Sequence, residues 1–156
     1  MKYDAIIRSA SIEYKIDYNL IKAIITIESA WKPDAKRHEP KINDTSYGLM
    51  QVLVKTAKWV TNNQKITPAQ LKDPTLNILV GVRYLAYLKK KYKTMDNTIA
   101  AYNAGKPIRS KKDPRVYINQ RYVDKVKKVY NSYQSKKAPI GIGIIGIVAV
   151  ALLASR

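Results

Sequence analysis

Residues 17–33 read DYNLIKAIITIESAWKP, and their spacing sets the kind of domain this chain builds. Asp17 or Asn19 offers an N-cap, and Leu20, Ala23, Ile24 and Ile27 recur at helical spacing until Pro33 forbids continuation. The last turns of this apolar helix carry Glu28 and Ser29. A carboxyl in that place sits against the core, where burial disfavours its charged form and keeps it protonated near neutrality, as a general acid requires. A solvated glutamate on an exposed face fits the same position, because charged residues are rarely buried. Position alone therefore does not assign the role.

Working outward, Ile6, Ala10 and Tyr14, with Ile7 beside them, predict an amphipathic helix over 3–15. Residues 34–47 are polar and rich in turn formers, which predicts a loop or a short hairpin. A helix is expected from Gly48 to Thr61. Thr67-Pro68 and Asp73-Pro74 each read as a cap followed by a first-turn proline. Ile78, Val82 and Leu85 then mark a long helix to Tyr92. A short helix over Thr94–Asn103 is closed by Gly105 and Pro107. A last helix runs from Val116, with Tyr122, Val126, Val129 and Tyr133 on one face. Nothing here needs a large sheet, so the fold is expected to be mainly α. The expected organisation is a domain over 1–134, a basic joint over 135–137 and an apolar segment over 138–156.

Composition narrows the function classes. The 156 residues hold no cysteine and a single histidine, so neither a disulfide framework nor a zinc site is expected, and no residue pattern asks for a cofactor. Twelve tyrosines and no phenylalanine mean that most rings carry a hydroxyl, which suits a sugar-facing cleft or a half-exposed core. The 29 basic residues against 11 acidic ones give a net charge of +18, a field that draws the domain to polyanions. No base-reading or stacking motif accompanies that charge, so nucleic acid is not an expected partner.

Five segments in order carry a resemblance. They are Leu20-Ile21-Lys22-Ala23-Ile24-Ile25 with Glu28-Ser29; Gly48-Leu49-Met50-Gln51; Leu71-Lys72-Asp73-Pro74 with Asn77-Ile78, Gly81 and Tyr84-Leu85; Ala101-Tyr102-Asn103-Ala104-Gly105; and Arg121-Tyr122-Val123 with Lys125-Val126. Over roughly 3–133 the chain resembles the soluble lytic transglycosylase family, whose fold is lysozyme-like and related to goose-type lysozyme. The resemblance implies a helical domain with a small loop or hairpin region, acting on the glycan strands of peptidoglycan. It puts the sole catalytic carboxylate on Glu28, first as acid toward the oxygen between MurNAc and GlcNAc, then as base toward the C6 hydroxyl of the same MurNAc. The product implied is a 1,6-anhydro sugar, formed without water. Ser29, Met50, Gln51, Tyr102, Asn103 and Tyr122 are the substrate-side residues it implies. Each also has a structural reading: Ser29 as a helix-end hydroxyl bonding its own backbone, Leu49 and Met50 as core, Tyr122 as a ring on the helix stripe.

The chain departs from the family between Glu28 and Gly48. Lys32 stands where an asparagine is usual, and the loop reads Arg37-His38-Glu39-Pro40-Lys41-Ile42-Asn43-Asp44. Glu39 or Asp44, reaching the far face of the sugar, would activate water and make the enzyme a hydrolase of the same bond. Both acids also suit solvated loop positions, as does His38. A non-catalytic wall-binding protein on the same fold is the remaining alternative.

The C-terminus adds a separate expectation. Ala138–Ala154 is a run of 17 residues without a charge, at the short limit for a membrane-spanning helix, and Pro139 suits its first turn. It predicts a C-terminal transmembrane helix that binds membrane lipid through 138–154. The N-terminal stretch lacks the apolar core of a leader. These features together suit a bacterial envelope protein or a component of a phage virion that carries an internal membrane.

Overall fold

A computed structural model of the chain describes residues 2–135. Helix α1 (Asp4–Tyr14) turns through Lys15 in the left-handed conformation into α2 (Tyr18–Ser29). Of the two possible caps, Asp17 is the one used: its carboxylate accepts from the N–H groups of Asn19 and Leu20 at 2.7 and 3.1 Å. Asn19 instead reaches Gln134 at 2.9 Å. Leu20, Ile21, Ala23, Ile24 and Ile25 are all buried, so α2 is the central rod of the domain.

The polar stretch after α2 forms a hairpin rather than a loose loop. Strand β1 (Lys36–Glu39) pairs antiparallel with β2 (Asp44–Tyr47) in the register Lys36 with Tyr47 and Glu39 with Asp44, closed by a 3-10 turn at Pro40–Ile42 and a left-handed Asn43. A two-residue β3 (Val52–Leu53) completes a three-stranded sheet.

The helix expected from Gly48 to Thr61 is realised only as α3 (Val54–Thr61). Gly48 and Gln51 adopt positive φ of 76° and 47°, which an α-helix cannot contain. The Gly48 N–H donates to the Ala35 carbonyl at 2.7 Å instead of continuing a helix.

Thr67-Pro68 leads only into a 3-10 turn at Gln70–Lys72, whereas Asp73-Pro74 opens α4 (Pro74–Tyr92), with the Asp73 carboxylate accepting from the Leu76 N–H at 2.8 Å. Thr94 caps α5 (Met95–Ala104), and Gly105 ends it in the left-handed region. The final helix, α6 (Gln120–Ser135), starts four residues later than the sequence predicts, because Arg109 and Tyr117 pair as an isolated bridge and hold 110–119 in a loop. It runs through Ser135, into the stretch expected to be a joint. Around α2 pack α1 and α6; α4 lies against α1, α3 and α5. The core joins residues from all of these helices, including Ile7, Ile24, Leu85, Ile99 and Val126.

The architecture is a mainly helical domain with a small antiparallel sheet, and the expectation of a membrane-spanning helix needs correction. No helix among the described residues is long and apolar enough to cross a membrane. Even α4, 19 residues long, is interrupted by Arg83 and ends on Lys89, Lys90 and Lys91. The segment 138–154 lies outside the described residues, and a location at a membrane argued from it falls with the correction.

Candidate active site

A cleft of about 690 Å³ separates the helical body from the sheet, within the size range of ligand sites. Glu28 reaches it from the last turn of α2, Arg37 and Glu39 from β1, Gln51 from the turn before β3, Tyr84 from α4, and Tyr102 and Asn103 from α5. The sequence scatters these residues over about half the chain, and tertiary packing brings them around one cleft.

Glu28 is held by α6. The Tyr122 hydroxyl donates to its Oε1 at 2.6 Å. Burial raises the Glu28 carboxyl above its ordinary range. The Tyr122 hydrogen bond and the positive charge of Arg37 oppose that shift, and Glu39 adds to it. The net direction is upward, because removing water from a carboxylate outweighs one hydrogen bond and a solvent-screened charge. Burial, with the Glu28 charge second, also holds the Tyr122 phenol well above its usual value, so it stays a donor.

Ser29 does not face the cleft. Its hydroxyl lies 2.8 Å from the Leu49 carbonyl and 3.2 Å from the Ile25 carbonyl, tying the end of α2 to the Gly48–Gln51 turn. Met50 is also divided between two roles. Its side chain is fully buried against Gly81, where an added Cβ would lie 2.6 Å from the sulfur. Its backbone alone serves the site: the carbonyl accepts from the Tyr102 hydroxyl at 2.9 Å.

Gln51 does line the cleft, but its amide nitrogen donates to the Ala35 and Gly48 carbonyls at 3.1 and 3.0 Å, and its oxygen accepts from Ser46 at 2.9 Å. It therefore sets the turn and the sheet edge. Gly48 is needed for packing as well as for its φ: a Cβ there would overlap the Asn77 amide and come within 2.6 Å of the Leu71 carbonyl.

Asn103 is exposed on the cleft wall. Asn119 donates to its Oδ1 at 3.0 Å, which fixes the side chain by its oxygen. Tyr102, raised well above its ordinary value by burial, packs on Tyr84 with ring centroids 5.6 Å apart.

Sequence reasoning missed four contributors. Tyr84 stood in the sequence only as part of a matching segment; its ring lines the cleft, and burial pushes its phenol up to about 12. Arg37 reads as one more loop cation, and only the hairpin register turns it into the cleft. Asn119 lies just before α6 and orients Asn103. Asn77 is fully buried and fixes the turn from below, accepting from the Met50 N–H at 2.8 Å and donating to the Tyr47 and Leu71 carbonyls at 2.7 and 2.8 Å. Like Tyr84, it stood in the sequence only as part of a matching segment.

The two spare acids separate. Glu39 lines the cleft but is paired with the Arg37 guanidinium at 2.5 Å. Asp44 is not part of the cleft wall, and its Oδ1 accepts from the Thr45 N–H at 2.7 Å. His38 is exposed, and among the described residues no group of three metal-ligating side chains comes together.

Comparison with known proteins gives a consistent picture. The model of the transglycosylase SLT domain matches residues 5–133. A membrane-bound lytic murein transglycosylase E of Buchnera aphidicola is 34% identical over 100 residues, covering 61% of this chain and 43% of that protein. The X polypeptide of Escherichia coli is 33% identical over 137 residues, covering 85% of this chain and 75% of its own length. The 70 kDa soluble lytic transglycosylase of Escherichia coli superposes over 87% of this chain and 24% of its own, with a TM-score of 0.69 at 24% identity, a likeness of fold. The chain spans less than half the length of the named transglycosylases.

Proposed function

Because the chain belongs to the transglycosylase SLT domain family, matched over residues 5–133, we propose that it is a peptidoglycan lytic transglycosylase with Glu28 as its acid and then its base. The observation that carries this reading is a carboxyl, raised by burial, lining a cleft with a tyrosine hydroxyl on one of its oxygens. The protonated Glu28 gives its proton to the oxygen linking MurNAc C1 to GlcNAc, and the C1–O bond breaks. Positive charge at C1 is shared by the acetamido oxygen of the same MurNAc, and the N–H groups of Asn103 hold that acetamido group in place. The Glu28 carboxylate then takes the proton of the C6 hydroxyl as that oxygen closes on C1. The carboxyl ends as it began, and no water is consumed.

The intramolecular attack is favoured because a tethered hydroxyl has a far higher effective concentration than an external reactant. Tyr122 steadies the carboxylate formed midway, and Tyr102 and Gln51 keep the opposite wall fixed. The surplus of 29 basic over 11 acidic residues draws the domain to the acidic stems of the wall.

One observation keeps a hydrolase in view: Glu39 also lines the cleft. Its carboxylate is engaged by the Arg37 guanidinium, so the lyase is the better reading. The test is a digest of purified sacculi analysed by mass spectrometry, with wild-type and Glu28→Gln protein. The expected result is 1,6-anhydro-MurNAc ends with wild type and no release with the variant. Reducing MurNAc ends that disappear with Glu39→Ala would mean a hydrolase, and full lysis by Glu28→Gln would overturn the assignment.

A further inference from the structure

Two aromatic side chains stand beside the catalytic cleft, next to residues that line it. Thr56 on α3 lines it, and three residues on, along the same helix face, Trp59 stands 53% exposed. Tyr84 on α4 lines it too, and three residues on, Tyr87 stands 38% exposed. The two pairs meet: the Trp59 and Tyr87 rings are 4.7 Å apart and near perpendicular, and Trp59 lies 6.3 Å from Tyr84. A chain of rings thus runs from Tyr102 at the reacting centre, through Tyr84, to Trp59 and Tyr87 at the surface.

Nothing in the core asks for this outer pair. Ala57 is the one buried residue of α3, so Trp59 is not an anchor for its helix, and its ring is joined to Tyr87 in one exposed aromatic pair. The Lys91 ammonium donates to the Tyr87 hydroxyl at 3.2 Å and restrains that ring.

Building on the transglycosylase reading, we propose that Trp59 and Tyr87 form a distal subsite that stacks a further pyranose ring of the same glycan strand. A β-linked amino sugar holds its polar groups at the ring edge and offers C–H faces above and below, so it matches an aromatic face flanked by polar atoms. The Tyr87 hydroxyl and Lys91 supply that polar edge. Continuity through Tyr84 with the catalytic cleft makes the occupant the strand already held there, and the consequence is a preference for longer strands.

The experiment is calorimetric titration of full-length protein carrying Glu28→Gln, which does not cut, with stem-free peptidoglycan strands of graded length. The expected result is an affinity that rises with length, with Trp59→Ala removing about fivefold from the longest strands, the return for burying a few tens of Å² of apolar surface. Trp59→Tyr keeps most of that gain, and the unfolding temperature does not move. Equal weakening at all lengths, or none at any length, would overturn the subsite. So would Trp59-dependent binding to phosphatidylglycerol vesicles with glycan affinity unchanged, since the patch would then be a lipid contact. If the Glu28→Gln protein binds no strand of any length, the transglycosylase reading itself fails, and the subsite with it.

Discussion

Replacing Asn77 by aspartate exchanges one NH₂ group for an oxygen, and the surroundings of that group set the consequence. The side chain is fully buried; its oxygen accepts from Met50, and its nitrogen donates to two backbone carbonyls, of Tyr47 and Leu71. Aspartate keeps the first bond and points a second oxygen at both carbonyls. Each buried polar group left unpaired costs about 1–3 kcal/mol, so the variant should lose about 3–5 kcal/mol near neutral pH. That is a large share of the roughly 5–15 kcal/mol that holds a domain folded.

The loss should depend on pH in a fixed direction. Burial raises the folded-state pKa of the new carboxyl above its unfolded value of about 3.9. Its protonated form can donate to one carbonyl again. The penalty is therefore smallest in acid and grows as pH rises through the folded-state value. Urea unfolding of variant and wild type near pH 7 and near pH 4 measures the difference. A gap under about 1 kcal/mol, or one that does not change with pH, would refute the account of Asn77 as the support of the turn. Activity should fall by more than the unfolded fraction explains, because the Met50 carbonyl that receives Tyr102 moves with the turn.

Three further outcomes follow from the same geometry. Tyr122→Phe removes a hydrogen bond that lowers the Glu28 pKa; the alkaline limb of kcat/KM should move to higher pH while the maximal rate falls about tenfold, and an unmoved limb would show that the contact does not act on the acid. Glu28→Gln should stabilise the fold above the ordinary glutamate value of 4.5 and make little difference below it. The sign follows from a raised carboxyl, which favours folding while protonated and loses that contribution as pH rises through its folded value; thermal scans across pH read it directly. Gly48→Ala combines a positive φ of 76° with a clash at Asn77 and Leu71, so a loss of about 2–4 kcal/mol is expected, and chemical denaturation showing a neutral effect would contradict the packing described.

Much of this protein is written locally. Asp17 and Asp73 cap helices where the sequence places caps, Gly105 ends a helix where glycine is needed, and the apolar run from Leu20 to Ile27 predicts a buried rod because few other arrangements hide so much hydrocarbon. Glu28 was legible as a candidate for the same reason, since a carboxyl on such a rod has little water to face. What the sequence could not settle is which atom of a residue serves the site. Met50, read as a cleft side chain, offers only its carbonyl, and Ser29, read as a ligand contact, is turned to backbone, because both sit where α2, α4 and the turn compete for the same space. Arg37, Glu39 and Tyr84 enter the cleft through hairpin register and helix packing, long-range choices that no local pattern encodes. The sequence by itself determined most of the helices, the caps at Asp17 and Asp73 and the candidate acid; tertiary structure decided which polar groups line the cleft, because each buried donor and acceptor had first to find its partner within the fold.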